Sequence, residues 1–192
     1  CSRDWSSDVC SSDLDSVIGK LTKGLSGLAK QRKITVVEGR GEFTSPNMIR
    51  VETKDGAKTV SFDHCIIAAG SSVARIPGFP YDNPRLIDST GALALPEVPK
   101  RLLVIGGGII GLEMATVFDA LGSKITVVEL MDGLVPGADR DVVRPLAKRL
   151  EKRYEKILLK TKVAKIESVE EGLKVSFEGA TNSTDTFDYA LM

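Results

Sequence analysis

The alternation of apolar and polar positions is clearest between residues 101 and 130. A short apolar run, RLLVI, leads into a glycine cluster, and an apolar pattern with helical spacing follows over residues 110–121. Gly122 comes directly after this pattern, at a position where glycine commonly ends a helix. A second apolar run, KITVVEL, carries one acid near its end, Glu129. This order predicts a β-α-β unit with a parallel sheet.

The pattern that follows predicts one more helix and then strands. Asp139 is placed to cap this helix, and Pro145 inside it predicts either a kink or a later start. The predicted apolar face comprises Val142, Val143, Leu146 and Leu150. The runs ILLKTKVAKIESVEE, LKVSFEG and TFDYALM predict the closing strands.

Residues 15–31 predict an amphipathic helix near the start of the chain. The helix needs a partner on which to pack, because its three glycines lower its propensity. Those glycines are Gly19, Gly24 and Gly27. The apolar face comprises Val17, Ile18, Leu21, Leu25, Leu28 and Ala29.

Short runs of strand-forming residues follow this helix. They predict a small antiparallel meander in which Asp55 and Gly56 form a turn. Its strands are expected at residues 34–39, 48–53 and 58–62. Residues 64–71, HCIIAAGS, predict a buried strand that runs into a glycine turn, which gives Cys65 the role of a buried structural thiol.

Two segments do not fit these patterns. Residues 72–99 are rich in proline and predict a connector, with one short helix after Asp88-Ser89 that Pro96 prevents from continuing. Residues 1–14 are rich in Ser and Asp, lack apolar periodicity, and are expected to form no defined element. A disordered tail, a tag, a metal-binding tail or foreign sequence are the alternatives, and the stretch resembles translated sequencing-adapter read-through.

Composition limits the classes of protein to which this chain can belong. Apolar residues are 42% and charged residues 27% of the 192 residues, as in a globular protein, and the 26 basic residues balance the 26 acidic ones. The zero net charge gives no reason to expect nucleic acid or a membrane as partner, and no apolar stretch approaches the length of a membrane span. The start of the chain shows no signal-peptide pattern. The three cysteines argue against a disulfide framework or a zinc site and for a reducing cytoplasm.

The glycine cluster fits the pattern G-x-G-x-x-G, with Gly106, Gly108 and Gly111. In a dinucleotide site the first glycine allows the sharp turn, the second allows the pyrophosphate to approach, and the third allows close packing of helix on strand. Glu129 follows Gly111 by 18 residues, close to the spacing expected of the acid that binds the ribose hydroxyls. This acid repels a 2′-phosphate and therefore favours NAD over NADP. The alternatives are a tight turn that binds no nucleotide and a solvated acid at the end of a strand.

From Val17 to Met192 the sequence resembles the flavin-dependent (pyridine nucleotide) disulfide oxidoreductases, most closely the group that oxidises dihydrolipoyl residues. The resemblance rests on VVEGRGEF at 36–43, IIAAGS at 66–71, LIDSTGALALPEVPKRLLVIGGGIIGLEMATVF at 86–118 and VVELMDGLVPGADRDVV at 127–143. It implies the cofactors FAD and NAD, and a fold that combines a Rossmann-like NAD-binding domain with part of an FAD-binding domain that contains an antiparallel β-meander.

The resemblance also assigns roles to residues by position. The FAD-binding residues implied are Gly41, Ala69, Gly70 and Ser71, where Ala69 replaces a threonine that is usual in the family. The pyrophosphate loop implied comprises Gly106, Gly107, Gly108, Ile109, Ile110 and Gly111. Glu129 would hold the ribose, Val163 would lie beside the adenine, and Glu113 would be the carboxylate near nicotinamide and flavin. For Glu113 the alternative is an exposed acid that stabilises the first turn of a helix.

Some family features are missing from the sequence. It contains no C-x-x-x-x-C redox pair, and its single histidine, His64, matches no catalytic position of the family. The chain is therefore expected to be an internal fragment without catalytic residues of its own. The predicted partition is 1–14 foreign or disordered, 15–80 partial FAD-binding domain, 81–99 connector and 100–192 NAD-binding domain.

For the parent protein the resemblance implies a cytoplasmic oxidoreductase and flavoprotein with a role in cell redox homeostasis. It would pass electrons from dihydrolipoyl groups through a redox disulfide and FAD to NAD. Its expected partners are the dihydrolipoyl domains of 2-oxo acid dehydrogenase complexes and a second copy of itself, with no nucleic acid and no membrane. The alternatives are a mercuric reductase, a glutathione reductase, an NADH oxidase or a non-catalytic nucleotide-binding remnant.

Overall fold

The computed structural model describes residues 7–95 and 97–192, and side chains from Leu14 onward. The chain divides into two compact units, Cys1–Ser71 and Ser72–Met192, which we call the first and the second unit. The predicted partition of the chain among FAD-binding, connecting and NAD-binding domains stays a prediction.

The first unit begins with a long helix, α1, which spans Ser7–Gln31. The expectation that residues 1–14 form no element is wrong for residues 7–14, because a helix already nucleated extends at low cost through residues that carry no breaker. The foreign origin of this stretch stays a prediction, and Trp5 lies outside the described residues. The predicted apolar face exists but is exposed: Leu21 is 65% and Leu25 67% exposed.

An antiparallel sheet of three strands is the other regular structure among the described residues of the first unit. The strands β1 (Arg40–Ser45), β2 (Met48–Thr53) and β3 (Gly56–Ser61) lie in the order β1-β2-β3. Gly56 turns the chain between β2 and β3 with a φ of 111°, as the Asp55-Gly56 signal predicted. The strand predicted at 34–39 is absent from this sheet, where the polar segment Arg40–Ser45 is the partner of β2 instead.

The prediction of a strand at residues 64–71 is also wrong. This segment has no regular structure, Ile66 is 94% exposed and Cys65 is exposed, so the buried thiol is not found. Apolar character alone does not make a strand, because a strand needs a neighbour that pairs with its backbone N–H and C=O groups.

The second unit opens with the proline-rich connector. A two-residue strand, β4 (Leu86–Ile87), precedes the short helix α2 (Ser89–Leu93). The Oδ1 atom of Asp88 accepts a hydrogen bond of 2.8 Å from the N–H of Gly91, so the helix starts at the predicted cap. The predicted block at Pro96 falls outside the described residues, and α2 already ends at Leu93.

A parallel sheet of five strands forms the centre of the second unit, in the order β4-β11-β5-β6-β7. Its other members are β5 (Arg101–Ile105), β6 (Lys124–Val128), β7 (Lys156–Leu158) and β11 (Tyr189–Leu191). Helix α3 (Ile109–Leu121) connects β5 to β6 and ends at Gly122, which adopts a left-handed conformation. The predicted β-α-β unit is thus present.

The sheet separates two apolar layers. On one face, Leu102, Val104, Ile125 and Val127 pack with the helices. On the other face, Leu103 and Val128 pack against a second antiparallel sheet with the order β10-β9-β8. Its strands are β8 (Thr161–Val169), β9 (Gly172–Gly179) and β10 (Ser183–Phe187). The central residues of β5 are therefore covered on both faces, as parallel sheets require.

The last helix, α4 (Arg140–Leu150), departs in detail from its prediction. It contains Pro145 and starts before it, so the later start is wrong. Asp139 holds the cap position, but its side chain makes no capping hydrogen bond. Of the predicted apolar face, Val143 and Leu150 are buried, whereas Val142 is 70% exposed. Among residues 7–95 and 97–192, no helix has both the length and the apolar character needed to span a membrane.

Candidate functional site

The glycine cluster lies at the turn from β5 into α3, at the carboxyl end of the parallel strands. Gly106 has a φ of 104°, a conformation that glycine adopts without a steric penalty. Its N–H donates a hydrogen bond of 2.8 Å to the carbonyl of Val128 at the end of β6. The turn is therefore attached to two adjacent strands of the sheet, β5 and β6.

The other two motif glycines serve different purposes in the geometry. A Cβ atom on Gly111 would lie 2.6 Å from the carbonyl oxygen of Gly106 and 3.0 Å from Cγ1 of Val104, so α3 approaches β5 closely only because Gly111 has no side chain. A Cβ on Gly108 would meet nothing within 4 Å. Gly108 thus borders open space at the N-terminus of α3, where unpaired N–H groups and the helix dipole attract a phosphate.

Glu129 is buried, with 7% of its surface exposed, directly after β6. Its Oε2 atom accepts a hydrogen bond of 2.7 Å from the N–H of Gly107, and its Oε1 atom accepts one of 2.7 Å from the N–H of Met131. Each carboxylate oxygen has a second lone pair that can accept a ribose hydroxyl. The alternative of a solvated acid at a strand end does not fit these contacts.

Gly107 occupies a variable position of the motif, and the structure explains why this position holds a glycine. A Cβ there would lie 2.6 Å from Cδ2 of Leu134 and 3.3 Å from Cβ of Glu129. The carbonyl of Gly107 accepts a hydrogen bond of 2.8 Å from the N–H of Val135. The loop between β6 and α4 therefore packs on the glycine turn, which the sequence pattern did not reveal.

Val135 is the conformational outlier of this loop. Its φ is 48°, and a β-branched residue in the left-handed region costs on the order of 1–3 kcal/mol. Such a conformation persists only where the surroundings fix it. No signal in the sequence pointed to Val135, because its conformation depends on contacts with residues distant along the chain.

The remaining proposed NAD-binding residues lie around this turn or along β8. Ile109 and Ile110, in the first turn of α3, are 65% and 61% exposed. Glu113 is exposed on the same helix, and the first turn carries no acid, so its alternative role does not fit. Val163 lies in β8 and packs against the apolar layer behind the sheet, two residues after Thr161, whose N–H donates to the carbonyl of Glu129 at 3.0 Å.

The residues proposed for FAD lie in the first unit. Gly41 pairs with Val51 in the sheet, and residues 69–71 form irregular, exposed chain in which Gly70 has a φ of 68°. Within the described residues no hydrogen bond joins Gly41 to this segment. In the described residues, the positions implied for FAD are thus exposed, and their role stays a prediction.

One cluster of charged groups in the second unit lies at the opposite end of β5 from the glycine turn. Arg101, the first residue of β5, donates hydrogen bonds to both carboxylate oxygens of Asp185, at 2.9 and 3.0 Å, and Lys156 donates another at 3.0 Å. The guanidinium of Arg101, with help from Lys156, holds the pKa of Asp185 well below its ordinary value, although partial burial acts in the other direction. This network is placed to stabilise the fold and not to meet a ligand at the glycine turn.

A parallel sheet with a glycine turn before a helix and an acid after the adjacent strand defines the Rossmann class of dinucleotide-binding units. The comparisons with known proteins are more specific. Residues 3–192 match the family described as pyridine nucleotide-disulphide oxidoreductase, and the chain belongs to that family. Membership in it, together with the relatives below, implies FAD and NAD as cofactors.

Two curated relatives and one solved structure illustrate the similarity. The chain is 49% identical to the dihydrolipoyl dehydrogenase of Vibrio cholerae over 180 residues, 93% of this chain and 38% of the relative. It is 50% identical to the dihydrolipoyl dehydrogenase of Haemophilus influenzae over 180 residues, 93% of this chain and 37% of the relative. The HOCl-induced flavoprotein disulfide reductase RclA of Escherichia coli superposes with a TM-score of 0.78 at 30% identity, over 92% of this chain and 40% of that chain. The chain thus spans well under half the length of these proteins.

Proposed function

We propose that the second unit binds NAD for a flavoenzyme that oxidises dihydrolipoyl groups. The observation that carries this proposal is the buried Glu129 carboxylate, held 2.7 Å from the N–H of Gly107 at the edge of the glycine turn. The identity of about 50% to two dihydrolipoyl dehydrogenases supports the substrate class. Glu129 counts against a glutathione-reductase-like enzyme that uses NADP, since a carboxylate repels the 2′-phosphate.

In this proposal each group has one task. The first-turn amides of α3, next to Gly108, bind the pyrophosphate, and Glu129 accepts hydrogen bonds from the adenosine ribose. Val163 contacts the adenine, and Glu113 faces the nicotinamide and flavin. NAD, when bound, supplies the hydride acceptor, and the protein supplies binding and orientation. Gly41, Ala69, Gly70 and Ser71 are proposed to contact FAD in the full-length protein.

The parent protein is proposed to be a cytoplasmic homodimer that serves the dihydrolipoyl domains of 2-oxo acid dehydrogenase complexes. The names of the curated relatives support the dihydrolipoyl substrate class of this proposal. Because the sequence holds no C-x-x-x-x-C pair and its single histidine has no catalytic position, we expect this chain, supplied with FAD, to show no lipoamide-dependent oxidation of NADH. Activity above the no-enzyme background would contradict that expectation.

Calorimetric titration with NAD and NADP tests the nucleotide assignment. We expect NAD to bind at least about tenfold more tightly, which corresponds to ~1.4 kcal/mol. Gly108→Val should weaken both ligands together, because a side chain there fills the space next to the helix N-terminus. Glu129→Arg should erode or reverse the preference and also weaken both ligands, since it removes the hydrogen bonds to Gly107 and Met131.

The control for reversing the charge of Glu129 is Glu170→Arg, at an exposed turn between β8 and β9. This variant should keep the preference for NAD. Equal affinity of the unmodified chain for NAD and NADP would refute the role of Glu129, and no measurable affinity for either would refute nucleotide binding by this unit.

A further inference from the structure

One guanidinium organises the loop of residues 131–139, which we call the β6–α4 loop. Arg140 donates hydrogen bonds from Nη1 to the carbonyl of Leu134 at 2.9 Å and from Nη2 to the carbonyl of Val135 at 2.7 Å. It also donates to the carbonyl of Ala138 from Nη2 at 2.8 Å and from Nε at 3.1 Å. A Cβ on Gly133 would lie 2.6 Å from Nη1, so Gly133 leaves the space that the guanidinium occupies.

The position of Arg140 is unfavourable for its own helix. Arg140 is the first residue of α4, where the helix dipole disfavours a positive charge. An acid is the residue that such a position favours, and Asp141 follows directly. The carbonyl groups of the β6–α4 loop therefore explain the location of this arginine better than α4 does.

The loop transmits this restraint to the glycine turn through Val135. Arg140 binds the carbonyl of Val135, while the N–H of Val135 donates 2.8 Å to the carbonyl of Gly107. Val135 is thus held on both sides in its left-handed conformation, with a φ of 48°. The N–H of the same Gly107 donates to Glu129, so both polar groups of the Gly107 backbone are fixed.

We propose that Arg140 is a positioning residue for the nucleotide site. By holding Val135 in its strained conformation, Arg140 fixes Gly107 and thereby orients the adjacent Gly108 and the first-turn amides of α3 towards a pyrophosphate. This proposal rests on the proposed function of the second unit and adds to it a residue that acts through its neighbours. The ligand class concerned is any nucleotide with a pyrophosphate.

The test compares NAD, ADP and AMP as ligands of the full chain. Arg140→Met should weaken NAD and ADP about tenfold each and AMP less than about threefold, because AMP has no pyrophosphate. Arg140→Lys should also weaken ADP, since an ammonium group cannot reproduce the fork that reaches three carbonyls. Arg144→Met, which removes an exposed arginine one turn further along α4, is the matched control and should change nothing.

A second variant separates positioning from general support of the fold. Glycine adopts the left-handed region readily. The double variant Arg140→Met, Val135→Gly should therefore bind ADP at least about threefold more tightly than Arg140→Met alone. Hydrogen exchange followed by NMR should show faster exchange of the Val135 N–H in Arg140→Met and Arg140→Lys, with the central amides of β5 unchanged. If Arg140→Met does not fold, the ADP affinity and the exchange of the Val135 N–H are measured in Arg140→Lys instead.

Two results would overturn the proposal. One is an equal loss of affinity for AMP and ADP, and the other is unchanged exchange of the Val135 N–H when Arg140 is replaced. If the unmodified chain binds no nucleotide at all, the proposed function fails, and the exchange of the Val135 N–H still decides whether Arg140 holds the loop.

Discussion

The two units of this chain differ in how far they bury apolar sequences of similar character. In the second unit, Leu102, Leu103 and Val104 of β5 are completely buried. In the first unit, Leu25 of α1 is 67% exposed and Ile66 is 94% exposed. Both units contain apolar runs that predict buried elements, but in the first unit the apolar face of α1 and the segment 64–71 lie exposed among the described residues.

The difference explains why one candidate site is organised and the other is not. The glycine turn of the second unit is built on packed strands: the missing side chain of Gly111 leaves room for Val104, and the N–H of Gly106 donates a hydrogen bond to the carbonyl of Val128. In the first unit, residues 69–71 have no strand or helix to support them. A binding site needs neighbouring structure that fixes its backbone, and motif residues alone do not provide it.

Hydrogen exchange should show the largest contrast between the units. The amides of Val104 and Val127 pair within the central parallel sheet, so their exchange should require unfolding of most of the second unit. The amides of Ile66 and Ile67 should exchange roughly 10⁴-fold faster, since they lie in exposed chain without regular structure. Mass spectrometry of peptides from the two segments measures this. Slow exchange at residues 64–71 would mean that this segment is paired after all.

Matched leucine truncations should give the next largest effect. Leu103→Ala removes a completely buried side chain between two apolar layers and should lower the free energy of unfolding by about 2–5 kcal/mol. Leu25→Ala, at a position 67% exposed, should change it by less than about 0.5 kcal/mol. Denaturant unfolding followed by circular dichroism compares the two. A cost at Leu25 equal to that at Leu103 would show that the apolar face of α1 is covered in solution.

The smallest expected effect is on the free energy of unfolding when a charged side chain is replaced. The pKa of Asp185 is lowered in the folded state, so its stabilising contribution is present above the ordinary pKa of 3.8 and is lost as the pH falls below that value. Asp185→Asn should therefore destabilise by about 1 kcal/mol at pH 7 and by progressively less below about pH 4. Glu52→Gln removes the exposed Arg50–Glu52 pair of the first unit and should have no measurable effect. A gap between wild type and Asp185→Asn that stays constant down to pH 2 would contradict the assignment.

Sequence patterns predicted the elements whose signals are local. The turn at Gly56, the cap at Asp88, the end of α3 at Gly122 and the β-α-β order all depend on a few neighbouring residues, and all are present. The strands predicted at 34–39 and 64–71 failed because pairing depends on a distant partner, which an apolar pattern does not identify. Within the candidate site, the pattern found the glycines and Glu129 but neither Val135 nor Arg140.

The sequence by itself thus determined that a glycine turn, a helix and an acid at the end of a strand follow one another, because each reflects local conformational preferences. Only the tertiary structure decided what these residues contact. It placed the Glu129 carboxylate on the N–H of Gly107, and it brought the N–H of Val135 to the carbonyl of the same residue. Contacts of this kind arise when packing of the sheet and helices brings distant segments together, and no short stretch of sequence encodes that packing.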